Sequence, residues 1–143
     1  MIRITRLTDY GIVLLSHLAV EPTRLYTAPE LATEARLPAP MVSKILKKLA
    51  RSGLLASHRG AHGGYNLGRP AAEITVAEII TALEGPIAVT ECIEDACGNQ
   101  AFCPVEGNWQ RINRAILEAL AGITLAEMSR PASLKLVSLG GRH

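Results

Sequence analysis

Three cysteines, Cys92, Cys97 and Cys103, sit in one short stretch at the spacing C-x4-C-x5-C, and the chain of 143 residues has no others. An odd number of thiols poorly suits a disulfide framework and better suits metal ligation or redox chemistry in a reducing compartment. The stretch that carries them, from Ile87 to Gly107, is irregular and acidic, and it is long enough for three sulfurs to converge. Thiolates gathered in this way repel one another until a soft cation relieves them. An iron-sulfur cluster meets that need. A structural zinc site, a redox thiol pair or inert buried thiols are the other readings, although zinc sites usually pair cysteines about two to four residues apart.

A second chemistry is written in the charges. The net charge is only +2, yet every charged residue from Arg36 to Arg69 is a base: Arg36, Lys44, Lys47, Lys48, Arg51, Arg59 and Arg69. From Glu73 to Glu106 every one is an acid: Glu73, Glu78, Glu84, Glu91, Glu94, Asp95 and Glu106. Such segregation describes a polyanion-binding surface followed by a separate functional segment, whereas a plain solvated face has no need of it.

The elements that must position these groups are mostly helical. Hydrophobic residues make up 48% of the chain and aromatics 3%, a palette of Leu, Ile, Val and Ala that favours packed helices. Thr8 and Asp9 offer a polar start for a helix running to Val20, with Ile12, Leu15, Leu18 and Ala19 at helical spacing. Thr27-Ala28-Pro29-Glu30 has the form of a capping box for a short second helix. Pro38 and Pro40 then enforce a break, and a third helix resumes near Pro40. Its expected buried stripe is Met41, Ile45, Leu46 and Leu49, with Gly53 placed to end it.

Two helices joined by a tight turn, the second bearing the bases, make a helix-turn-helix. Leu54–His58 and Tyr65–Leu67 are expected as two short strands, with the tip between them forming a wing. The first turns of the third helix, Pro40, Met41, Ser43 and Lys44, are placed to face base edges, while Lys47, Lys48 and Arg51 suit phosphates. At the wing, Arg59 carries a cation suited to a narrow minor groove and Gly60 lets backbone approach, while His58 and His62 are lower-weighted contacts, as often plain solvated loop residues. Double-stranded DNA is the expected partner.

Thr75 opens another helix that closes at Gly85-Pro86. Beyond the cysteine stretch, Trp109, Ile112, Ile116, Leu120 and Ile123 recur at three- and four-residue steps, a narrow seam suited to packing against a second copy of the chain. Thr124-Leu125-Ala126-Glu127 offers a capping box for a short terminal helix. The expected organisation is a winged helix-turn-helix at 1–85, a cysteine loop at 86–107, a dimerisation helix with a short terminal helix at 108–130, and a flexible tail at 131–143. No apolar run is long enough to cross a bilayer, and Met1–Arg6 lacks the pattern of a signal peptide, so a cytoplasmic protein with no membrane partner is expected. No phosphate loop, helical zinc-protease motif or nucleophile paired with a base is present, so the chain does not read as an enzyme.

Several strings together resemble a known family. They are Leu7-Thr8-Asp9-Tyr10, Arg59-Gly60, Gly63-Gly64-Tyr65-Asn66-Leu67, Leu83-Glu84-Gly85-Pro86 and the three cysteines. They are similar to the IscR/NsrR/CymR family of winged-helix regulators, and the likeness runs from Ile4 to about Met128. The string Gly85-Pro86-Ile87-Ala88-Val89-Thr90-Glu91-Cys92, with Asn108-Trp109, resembles the branch of regulators of the SUF iron-sulfur assembly system.

The resemblance implies a homodimer with crossed long helices that binds a palindromic operator. It also implies a 2Fe-2S or 4Fe-4S cluster on Cys92, Cys97 and Cys103, and repression of cluster-assembly genes. The fourth ligand departs from the assembly-sensing branch, which has a histidine where this chain has Glu106. Asp9 matches the aspartate that reaches across from the partner subunit in the nitric-oxide-sensing branch, and it is preferred here over Glu106. Asp9 also suits the positive end of the first helix without any metal. The competing expectations are a thiol-redox, zinc or nitric-oxide sensor of the same fold, and an iron-sulfur carrier.

Overall fold

The computed structural model describes residues 3–89, 98 and 103–130. Helix α1 spans Arg6–Val20 and starts earlier than expected because its cap is Thr5, whose hydroxyl accepts from the Thr8 amide at 3.3 Å. Thr8 is not a cap but a fully buried residue whose hydroxyl donates to Glu84 Oε2. Leu14, Leu15 and Leu18 carry the buried face of α1, while Ile12 and Ala19 are partly buried beside it.

Helix α2 (Ala28–Ala35) begins with both halves of the expected capping box, formed by Thr27 and Glu30. It ends at Arg36, which adopts the left-handed conformation at φ 56°, the sole non-glycine at positive φ among the described residues. That residue makes the tight turn, and Pro38 then caps α3 (Ala39–Arg51). The buried stripe of α3 is Val42, Ile45, Leu46 and Leu49. This corrects the expected stripe: residues 42, 45, 46 and 49 follow the i, i+3, i+4, i+7 pattern of one face, so Met41 lies at its edge, half-buried against the core.

Strand β1 (Leu55–His58) pairs antiparallel with β2 (Gly64–Leu67), with Leu55 opposite Leu67 and His58 opposite Gly64. Tyr26 adds a third rung, exchanging backbone hydrogen bonds with Tyr65 at 2.9 and 2.7 Å. A 3-10 turn at Ala71–Glu73 leads to α4 (Val76–Glu84), capped by Thr75 and Glu78. Helix α5 covers Glu106–Ala121, and α6 covers Leu125–Met128 with its own box from Thr124 and Glu127.

One continuous core joins α1, α2, α3, α4, β1 and α6, and Leu125 of α6 is among its fully buried residues. The short terminal helix therefore belongs with the first half, not with α5. Its docking is fixed by two backbone hydrogen bonds, Leu125 N–H to Ile74 O at 2.8 Å and Val76 N–H to Ile123 O at 2.9 Å. Ile123 is accordingly past the end of α5 instead of on its seam, and Glu106 and Gly107 belong to α5 instead of the cysteine loop. The expected tail at 131–143 lies outside the described residues.

Candidate nucleic-acid interface and cysteine segment

Four hydrophobic residues face α3 inward, and the same helical geometry throws Pro40, Lys44, Lys47 and Arg51 outward, where all four are exposed. Lys44, Lys47 and Arg51 follow steps of three and four, so their cations form one ridge. Ser43 is half-buried and Met41 touches the core, so the exposed polar groups at the start of α3 are fewer than the sequence suggested. Lys48 differs from its neighbours: it is half-buried, and its Nζ donates to Leu83 O at 3.3 Å. Arg69 is also withdrawn from the basic surface, because it pairs with Glu78 at 3.0 Å and donates to Glu73 O.

The wing presents Arg59, Gly60 and His62 to solvent. Its glycines do two different jobs. Gly60, at φ 113°, has open space where a side chain would be, which leaves its backbone accessible. Gly64, at φ 152°, would drive a Cβ to 2.7 Å from Tyr26 O, so this glycine lets the wing close onto the Tyr26 rung. His58 is exposed with Nε2 3.1 Å from Asn66 Oδ1, a cross-strand contact within the wing.

Below the wing, Glu78 has its carboxyl held below the ordinary glutamate range. The main cause is the backbone amide of Thr75, which stabilises the anion; burial opposes it next, and the Arg69 guanidinium lowers the carboxyl further. This anchors the exit from β2 to the start of α4.

At the other end of α4, Gly85 turns the chain at φ 89° into the segment that leads to the cysteines. Asn113 is the sole buried residue of α5, and its Oδ1 accepts from Val89 N–H at 3.1 Å, pinning that segment to the helix. Periodicity did not single out Asn113, because a polar residue on a seam reads as part of the solvated side. Cys103 is half-buried three residues before α5 begins. Cys92 and Cys97 lie outside the described residues, and among the described residues no group of three or more His, Cys, Asp or Glu side chains is gathered as a metal site.

Of the two candidates for a fourth ligand, Glu106 is the first residue of α5 and accepts from Gln110 Nε2 at 3.3 Å. Asp9 is exposed, at the edge of an open apolar groove lined by Ile4, Ile12, Ile80, Leu120 and Ile123. Trp109 and Ile112 are 39% and 43% exposed, so α5 carries uncovered apolar surface in the single chain. No described helix is long and apolar enough to cross a membrane.

A recognition helix with outward cations, a two-stranded wing and a long, partly exposed helix together define the architecture, and the family model for Rrf2, described as an iron-dependent transcriptional regulator, matches residues 4–131. The chain belongs to the Rrf2 family. Rrf2-type likeness extends over most of its length: the protein rrf2 of Nitratidesulfovibrio vulgaris is 30% identical over 92% of this chain and 90% of the relative. Among solved structures, CymR (YrzC), the global cysteine regulator of B. subtilis, is 31% identical with a TM-score of 0.71, covering 90% of this chain and 97% of that one. IscR of T. potens is 28% identical with a TM-score of 0.68, covering 89% and 85%. This Rrf2 protein is thus a winged-helix transcriptional regulator and not an enzyme.

Proposed function

We propose that this regulator binds double-stranded DNA as a homodimer at a palindromic operator, represses iron-sulfur assembly genes of the SUF type, and senses an iron-sulfur cluster held by Cys92, Cys97 and Cys103. One observation carries the reading: the helix that receives Lys48 from the recognition helix also ends, at Gly85, where the cysteine segment begins. A change in that segment therefore has a short path to the DNA-reading surface, along the end of α4 and through the Lys48 hydrogen bond.

The donor set fits such a group. Three soft sulfur donors suit iron with sulfide, as the spacing of the segment allows. Asp9 is the favoured fourth ligand, contributed by the partner subunit, because it is exposed beside the groove that suits a second copy, whereas Glu106 is engaged by Gln110. When bound, the cluster supplies a centre whose loss, oxidation or nitrosylation is the signal. The chain's own residues do the rest. Lys47 and Arg51 meet phosphates, Pro40, Met41, Ser43 and the exposed Lys44 approach base edges, and Arg59, Gly60 and His62 reach the adjacent minor groove. Trp109, Ile112, Ile116 and Leu120 of α5, with Ile123 beyond it, form the dimer seam.

The likeness to CymR favours a second reading, in which the thiols or the cysteine supply are the signal. Anaerobic purification followed by iron, acid-labile sulfide and zinc assays separates the two. Iron with sulfide, a visible charge-transfer band, and loss of that band in the Cys92→Ala, Cys97→Ala and Cys103→Ala variants are expected. Colourless, iron-free protein even after attempted reconstitution overturns the cluster reading, and zinc alone or a titratable disulfide supports the alternative.

A further inference from the structure

Lys48 is the one half-buried cation of the recognition helix, and its ammonium is bonded to another element of the protein. In the sequence it lies between Ile45 and Leu49, both fully buried, so its Cα sits beside the inward face of the helix. Successive residues on a helix are about 100° apart, which points Lys48 away from the direction of Lys47. Its Nζ meets Leu83 O at 3.3 Å. That carbonyl is among the last of α4, which have no intrahelical partners and carry the negative end of the helix dipole. A lysine there satisfies both needs.

Leu83 and its neighbour Glu84 are also gripped from α1. A Cβ placed on Gly11 would overlap the Leu83 side chain, so α1 and α4 make their close approach at that point, with Ile45 of α3 also near. Thr8 holds the Glu84 carboxylate. Leu83 is thus wedged by its side chain and held by its carbonyl, and Glu84 is held by its side chain, immediately before the chain turns at Gly85.

We propose that Lys48 is a positioning residue and not a phosphate contact: its ammonium clamps the C-terminus of α4 to the recognition helix and so sets the pose in which that helix reads bases. The inference rests on the regulator reading above and assigns this lysine a role different from that of Lys44, Lys47 and Arg51.

Amine-reactive labelling of the wild-type protein tests the clamp without any variant. Lys44 and Lys47 are expected to label readily and to be protected by a duplex that the protein has selected from a random pool, while Lys48 labels slowly with or without DNA. Lys48 labelling as fast as Lys47 and becoming protected on DNA overturns the proposal. In Lys48→Met, the ratio of affinity for the selected duplex to affinity for poly(dI-dC) should fall about tenfold, the scale of one mismatched base pair. The salt slope should stay at the wild-type value, whereas Lys47→Met lowers it by about one. The Gly85 amide, bonded to Thr81 O at 2.9 Å, should exchange faster in Lys48→Met, and Lys48→Arg should restore both exchange and specificity. An equal fall in specific and non-specific binding with a reduced slope makes Lys48 an ordinary phosphate contact. Wild-type protein that selects no duplex sinks the regulator reading itself, whereas fast Lys48 labelling sinks only the positioning role.

Discussion

The half of the chain from Arg6 to Glu84 encloses most of the core, while α5 leaves Trp109 and Ile112 in the open. In the first, Leu14, Leu15, Ile45, Leu46 and Leu49 are wholly shielded by neighbouring elements. In the second, Asn113 is the one buried residue and Trp109 and Ile112 remain more than a third exposed. An apolar seam that the described residues cover only in part gains stability from whatever else packs on it. The contrast separates a closed core, completed by Leu125 of α6, from a helix that leaves apolar surface uncovered, and it tells where each kind of substitution should be felt.

The largest effect belongs to the closed half. Leu49→Ala should cost about 2–5 kcal/mol of unfolding free energy by denaturant titration, because the surrounding core cannot collapse onto the space. A cost below about 1 kcal/mol would show that this core is loose and would blur the contrast. Next comes Ile112→Glu, which should weaken self-association at least about tenfold, or about 1.4 kcal/mol, in sedimentation equilibrium. A dimer that survives it unchanged would remove the seam from the interface. Arg59→Ala should lower operator affinity by a similar factor and reduce the salt slope by about one, leaving any visible absorbance intact.

The smallest effect is that of Glu78, whose carboxyl is more acidic folded than unfolded. Its contribution is fully present above the unfolded pKa and fades as pH falls through the lower folded one. Thermal melts of Glu78→Gln should therefore differ from wild type at neutral pH and converge with it in acid; a gap that widens toward acid would reverse the assignment.

Much of the fold was legible because local chemistry and tertiary context agree. Thr27 with Glu30 and Thr124 with Glu127 form the boxes their spacing announces. What escaped was decided by contacts distant in the chain. Thr8 looked like a cap until Glu84, 76 residues away, claimed its hydroxyl. Arg36 carries a left-handed turn that composition usually assigns to glycine or asparagine. Lys48 is chemically identical to Lys47, and only the position of Leu83 distinguishes them. Ile123 kept the helical rhythm of the seam although Gly122 had already ended α5.

The return of the chain at Thr124 has a mechanical meaning. Because α6 sits in the same core as α1, and Asn113 ties Val89 to the middle of α5, the long helix resembles the handle of a cup, fastened to the body at more than one point. A handle can be grasped by another molecule, but it cannot be tilted freely. Whatever grips it must tug on the vessel, and the residues that feel the pull first are those around Ile74 and Val76, where the handle rejoins the wall.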